Sequence, residues 1–185
     1  MKKIIIAALL FGAILTGCSQ QQARQPLSHS SGTFMKESIE RNKKLVANEE
    51  SRIDSIIKSS PAVKYIASDK GFWYRYEAEV TTDTVTPKRG DVAYFDYEVK
   101  NIEGNLIYSE TELRPQEYYV DKEDIMMGLR YGIKLMNKGE KVTFLFPSHM
   151  GYGYHGDNKK IGTNEPLICT VTLNDIKPET EIKQN

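Results

Sequence analysis

Hydrophobic and polar residues follow different periods in successive parts of the chain. From Phe34 to Lys58 apolar residues return at helical intervals, and Ser59-Ser60-Pro61 closes the segment. We therefore predict an amino-terminal helix over residues 34–60. From Phe72 to Val80 apolar and polar residues alternate instead, which predicts a half-buried strand.

The same alternation predicts a hairpin further along the chain. In Asp91–Asn101 every second residue is apolar, and Glu103-Gly104-Asn105 has turn composition before a short strand, Leu106–Ser109. From Asp124 the period becomes helical again until Asn137-Lys138-Gly139. The apolar residues of this short helix are Ile125, Leu129, Ile133 and Met136.

Two more strands complete the predicted domain, Lys141–Pro147 and Leu167–Lys177, and a loop rich in glycine and tyrosine separates them. Loops of this length in a compact domain are usually functional or disordered. Strands interrupted by one helix predict an α+β fold in which an antiparallel sheet wraps around one short helix, with an amino-terminal helix before it.

The first residues have the layout of a secretory leader. Lys2 and Lys3 precede an apolar run, Ile4–Leu15, that is shorter than the roughly 20 residues a membrane-spanning helix needs. The tetrapeptide Leu15-Thr16-Gly17-Cys18 resembles the lipobox of bacterial lipoproteins. We expect residues 1–17 to be removed and Cys18 to carry lipid; the alternative is an ordinary leader with a chance cysteine.

Residues 18–33 are mostly polar, which predicts a flexible tether behind the lipidated Cys18. The tether resembles that of lipoproteins kept on the periplasmic side, so we expect a membrane-anchored protein that faces the periplasm. Because Cys18 is committed to lipid, Cys169 is left without an intramolecular disulfide partner.

Charge and residue types exclude several function classes. The 25 basic residues balance the 25 acidic ones, and no basic face suggests a nucleic-acid partner. No nucleophile–base pair, phosphate loop or cluster of metal ligands stands out, so we predict no cofactor and no metal. The loop histidines His149 and His155 are interpreted as solvated.

An ordered series of short motifs carries the functional signal. Its most specific part is Pro147 followed by Tyr152-Gly153 at the start of the long loop. The series as a whole runs Lys88-Arg89-Gly90-Asp91, Tyr97, Glu103-Gly104, Ile125-Met126-Met127-Gly128-Leu129, Gly139-Glu140-Lys141 and Pro147 with Gly151-Tyr152-Gly153.

In order and spacing, this series resembles the FK506-binding-protein (FKBP) family of peptidyl-prolyl isomerases. The resemblance covers about residues 86–177, within a domain placed at residues 71–178 and followed by a tail, 179–185. With the lipobox and the amino-terminal helix, the chain is similar to the gliding-motility-associated FKBP-type lipoproteins.

The resemblance implies an apolar pocket between the helix and the sheet. Tyr97 and Tyr152 would be its catalytic residues, and the Met126 backbone N–H would donate to a ligand carbonyl. The substrate-binding residues implied in the same way are Ile107, Tyr108, Ile125, Met126, Leu129, Ile161 and Cys169.

The pocket departs from the family pattern at several positions. Leu129 stands where the family usually has tryptophan, and Cys169 where it usually has phenylalanine. Ile107-Tyr108 replaces Phe-Asp, so the acid that often engages the pocket tyrosine is missing. These changes remove aromatic surface from the pocket wall.

Two functions follow from the resemblance. The first is a lipid-anchored prolyl isomerase whose partners are proline-containing exported polypeptides. The second is a binding or assembly module in which the same cavity holds a partner without useful turnover. The amino-terminal helix could form a homodimer or cover one edge of the sheet.

Overall fold

The computed structural model describes residues 31–82 and 85–182, so the predicted leader and Cys18 lie outside the described residues. Helix α1 occupies Ser31–Ser59 and therefore starts before the predicted boundary at residue 34. The described residues from Ile39 onward form one compact unit, separate from the unit that includes residues 31–38.

The unit from Ile39 onward is built on one antiparallel sheet of seven strands. The strands are β1 Ile66–Ala67, β2 Trp73–Ala78, β3 Val92–Asn101, β4 Leu106–Tyr108, β5 Gln116–Tyr119, β6 Lys141–Phe146 and β7 Leu167–Lys177. Their order in the sheet is β1-β2-β6-β7-β3-β4, and β5 pairs with β3 beside this path.

The described residues form three further α-helices, all of them short. α2 spans Glu110–Leu113, α3 spans Met127–Gly132 and continues as a 3₁₀ turn over Ile133–Leu135, and α4 spans Glu179–Ile182 at the start of the predicted tail. The predicted α+β arrangement is thus confirmed: an amino-terminal helix precedes an antiparallel sheet that packs around one short helix, α3. Strands β1 and β5 and helix α2 were not predicted.

The pattern of β3 shows how the sequence builds the main core. Ala93, Phe95, Tyr97 and Val99 are buried on one face, as predicted, because successive side chains of a strand point to opposite faces. Strands β3 and β4 form the predicted hairpin, in which Val99 pairs with Tyr108.

Strand β6 is buried on both faces. Phe144 and Phe146 belong to the main core, and their rings stack with centroids 5.3 Å apart. Leu145 points the other way, into a smaller cluster that includes Ile53 of helix α1. Helix α1 therefore covers the back of the sheet with its carboxy-terminal half.

Glycines let α3 lie directly on the aromatic rings of β6. A Cβ atom at Gly128 would come within 2.6 Å of the Phe146 ring, and one at Gly132 within 2.9 Å of the Phe144 ring. These distances are too short for any larger side chain without movement. The close approach holds Leu129, between the two glycines, against the core.

Candidate functional site

The tyrosines predicted to be catalytic reach the site from different elements. Tyr97 lies on β3 and is almost fully buried, whereas Tyr152 lies in the loop after β6 and is 37% exposed. Burial raises the pKa of the Tyr97 hydroxyl, and the neighbouring Tyr152, Cys169 and Tyr108 raise it further. The two predicted phenols therefore share one environment, with Tyr97 inside and Tyr152 at the rim.

The other predicted residues belong to the same hydrophobic core as Tyr97 or pack against it. Leu129 is 3% exposed on α3, and Ile161 and Cys169 are buried in the main core. Ile107, Ile125 and Met126 pack against that core from its edge. The structure thus brings together residues from five separate segments of the chain; whether each of them contacts a substrate stays a prediction.

Two of these residues have specific local settings. The carbonyl of Met126 accepts from the Arg130 N–H at 3.0 Å, which holds the Met126 backbone at the start of α3. Burial raises the pKa of the Cys169 thiol, so this cysteine stays protonated at neutral pH and acts as a small apolar residue. The site thus offers phenols and apolar surface, without a charged nucleophile at Cys169.

A carboxylate that the sequence analysis missed stands beside the site. Asp157, in the loop after β6, accepts a short hydrogen bond from the Tyr108 hydroxyl. The family pattern places an acid at the position of Tyr108, and here the tyrosine at that position engages an acid from the long loop instead. The position of Tyr108 itself thus carries no acid, as the sequence shows, and the acid that Asp157 adds to this region engages Tyr108.

Asp157 also organises its own loop. Its Oδ1 atom accepts from the backbone N–H groups of Lys159, Lys160 and Ile161 at 2.9, 3.0 and 2.8 Å. Burial opposes ionisation of Asp157, but the hydrogen bonds from Tyr108 and these amides outweigh burial and hold its pKa below the ordinary value. The Asp157-Asn158 pair has turn composition, which was the available sequence signal.

Lys160 ties the loop to the hairpin from the outside. Its Nζ atom donates to the Ile107 carbonyl at 3.2 Å and to Glu112 of α2 at 2.5 Å. The same ammonium lies 4.7 Å from the centroid of the Tyr108 ring, within range of a cation–π contact. Asp157 and Lys160 together connect the loop that carries Tyr152 and Ile161 to β4.

The Tyr108–Asp157 contact predicts a dependence of stability on pH. The hydrogen bond to Asp157, followed by burial and by the Asp157 charge, raises the pKa of Tyr108 from 10.0 to about 12. Above pH 10.0 the unfolded chain loses this proton while the folded chain keeps it, so folding stability falls as pH rises towards about 12.

Urea unfolding below and above pH 10.0 checks this expectation. The free energy of unfolding of the wild type should fall more steeply over that range than that of Tyr108→Phe, which has no proton to lose. Tyr97 is present in both proteins, so the difference between them reports the loss of the Tyr108 hydroxyl together with its smaller effect on the pKa of Tyr97. Equal slopes would show that Tyr108 ionises alike in the folded and unfolded chains.

Comparisons with known proteins agree with this architecture. Residues 83–174 match the family described as FKBP-type peptidyl-prolyl cis-trans isomerase. A probable FKBP-type peptidyl-prolyl cis-trans isomerase of Haemophilus influenzae is 30% identical over 115 residues, which is 62% of this chain and 46% of that protein. The chain thus spans about half the length of this relative.

Solved structures share the fold. FkpA from Escherichia coli superposes with a TM-score of 0.59 at 24% identity, over 97% of this chain and 83% of that one. A peptidyl-prolyl cis-trans isomerase from Pseudomonas syringae gives 0.58 at 20% identity, over 74% of this chain and 96% of that one. The match identifies residues 83–174 of this chain as an FKBP-type peptidyl-prolyl cis-trans isomerase domain.

Proposed function

We propose that this chain is a peptidyl-prolyl cis-trans isomerase that acts on exported polypeptides by non-covalent catalysis in an apolar pocket. The observation that supports it is the convergence of Tyr97 and Tyr152 on one site with Leu129, Ile161 and Cys169. This convergence joins segments that lie far apart in the sequence, as the family resemblance implies.

The physical chemistry of prolyl isomerisation fits such a site. Amide resonance opposes rotation about the X–Pro bond with a barrier of about 18–20 kcal/mol. The twisted transition state has lost amide conjugation and is less polar than the planar ground state, so an apolar site favours it. The Tyr152 side chain, 37% exposed, would donate its hydroxyl hydrogen bond to a substrate carbonyl and fix its orientation.

The rival proposal is a binding module, and Leu129 favours it. The side chain at this position is buried and apolar, but it is smaller than the tryptophan usual in the family. Cys169 likewise offers less surface than phenylalanine would. A pocket with these smaller side chains would still hold a polypeptide, but it would exclude less water from the X–Pro bond.

An isomerisation assay with a proline-containing peptide separates the two proposals. We expect turnover by the soluble chain that begins after Cys18, and a loss of up to about tenfold in kcat/KM for Tyr152→Phe, which removes one hydrogen bond. We expect a gain for Leu129→Trp if the smaller floor limits activity. If the wild type isomerises the peptide no faster than the uncatalysed rate, the isomerase proposal is rejected and the binding-module proposal remains.

The location near a membrane is proposed from the sequence around Cys18. No helix within residues 31–82 and 85–182 is both long and apolar enough to span a bilayer. We propose that lipid on Cys18 anchors the protein on the periplasmic side, as in the gliding-motility-associated lipoproteins it resembles. Mass spectrometry of the membrane fraction should find acyl chains on the wild type and none on Cys18→Ser.

We propose the amino-terminal part of α1 as a self-association surface. Phe34, Met35 and Ile39 are about half or more exposed there, and a second copy of the same helix would cover them. Light scattering of the soluble chain should then give the mass of a dimer, and Ile39→Lys should shift it to a monomer. A monomeric wild type would exclude this surface as a dimer contact.

A further inference from the structure

A buried carboxylate connects helix α1 to the loop after β6. Glu49 is 2% exposed, although its neighbour Glu50 on the same helix is exposed. Glu49 Oε2 accepts from the Ser148 backbone N–H at 2.8 Å, and Oε1 accepts from Ser148 Oγ at 2.7 Å. Burying a carboxylate is unfavourable unless such hydrogen bonds compensate it, so the geometry of this pair is strongly constrained.

Ser148 lies at the start of the loop that carries Tyr152, and two backbone hydrogen bonds hold the turn between them. Met150 N–H donates to the Pro147 carbonyl at 2.9 Å, and Gly151 N–H donates to the Ser148 carbonyl at 3.0 Å. The Met150 side chain is buried. The position of Ser148 therefore determines where Gly151, and with it Tyr152, leaves the sheet.

We propose that Glu49 is a positioning residue for the pocket: through Ser148, helix α1 holds the loop in the conformation that presents Tyr152. The effect on turnover rests on the proposed isomerase function, whereas the effect on the loop does not. Helix α1 thereby contributes to the site itself, in addition to covering the back of the sheet.

Docking of the helix and positioning of the loop can be measured separately. Helix α1 has its own apolar contacts, since Ile53 packs with Ile102 and Leu145. Trp73, the single tryptophan of the chain, packs against the same cluster. Its fluorescence therefore reports whether the helix stays docked, and amide hydrogen exchange over residues 148–156 reports the loop.

The decisive comparison uses Glu49→Ala and its conservative counterpart Glu49→Gln. In Glu49→Ala we expect faster exchange over residues 148–156, unchanged Trp73 emission and a kcat/KM lower by about tenfold, because small displacements of site residues are costly. Glu49→Gln should stay close to the wild type, since its oxygen can accept the Ser148 N–H and its NH₂ group can donate to Ser148 Oγ.

Glu50→Ala is the matched control, and it should leave all three measurements unchanged. The proposal is overturned if Glu49→Ala exchanges like Glu50→Ala, or if exchange rises throughout the sheet together with a shift in Trp73 emission. Should Glu49→Ala not fold, Ser148→Ala decides by the same criteria, since it removes only the bond from Oγ. If the wild type shows no turnover, the isomerase proposal fails and the exchange comparison still decides the role of Glu49.

Discussion

Replacing Asp157 by alanine should lower kcat/KM for isomerisation of a proline-containing peptide by about a hundredfold, because site residues displaced by about 1 Å can lose that much activity. In this variant the Tyr108 hydroxyl on β4 loses its hydrogen-bond acceptor. The backbone N–H groups of Lys159, Lys160 and Ile161 lose theirs as well. The loop after β6 and the β3–β4 hairpin then lose the Tyr108–Asp157 hydrogen bond that joins them.

Asp157→Asn provides the matched control. Its side-chain oxygen can still accept the backbone N–H groups, and its NH₂ group can donate to the Tyr108 oxygen, so we expect a smaller loss. Asp54→Ala removes an exposed ion pair with Lys58 on helix α1 and should leave activity unchanged. Equal activity of Asp157→Ala and the wild type would exclude Asp157 from organising the site.

Replacing Phe144 by alanine should lower the free energy of unfolding by about 3–5 kcal/mol, the usual cost of deleting a large buried ring. Phe144 is fully buried at the centre of β6, contacts the rings of Phe72 and Phe146, and lies where α3 crosses at Gly132. The cavity would open beneath the helix that carries Leu129. Urea unfolding monitored by circular dichroism measures the loss.

Two further variants define how much of this loss comes from the cavity. Phe144→Leu keeps much of the volume and should lose less than the alanine variant. Tyr154→Ala changes an exposed ring and should stay within about 0.5 kcal/mol of the wild type. A small loss in Phe144→Ala would mean that α3 collapses onto the sheet and fills the space.

Strands with a strong alternating pattern could be predicted, and strands defined by their neighbours could not. Strand β3 alternates from Ala93 to Lys100 because one face meets the core. Strand β5, Gln116–Tyr119, is short and has no alternating apolar pattern, and it exists because Tyr118 and its neighbours pair with β3. Strand β1 has two residues and depends in the same way on pairing with β2.

The residues of the candidate site were predicted more completely than the contacts that hold them. Tyr97 and Leu129 could be placed in the fold from motif order and Cys169 from the alternation of its strand, whereas their roles in binding stay predictions. Asp157 escaped prediction since its partner Tyr108 lies 49 residues earlier in the chain. Turn composition signals where a loop bends but not which strand its carboxylate will meet.

The sequence by itself determined the periodicities, and with them the α+β class, the long helix, the β3–β4 hairpin and the order of the motifs. These features depend on near neighbours, whose side chains share one face at a spacing set by backbone geometry. Only the tertiary structure decided that Glu49 meets Ser148 across 99 residues, and that α3 rests on Phe144 and Phe146. Such contacts depend on how elements pack together, a property that no local pattern contains.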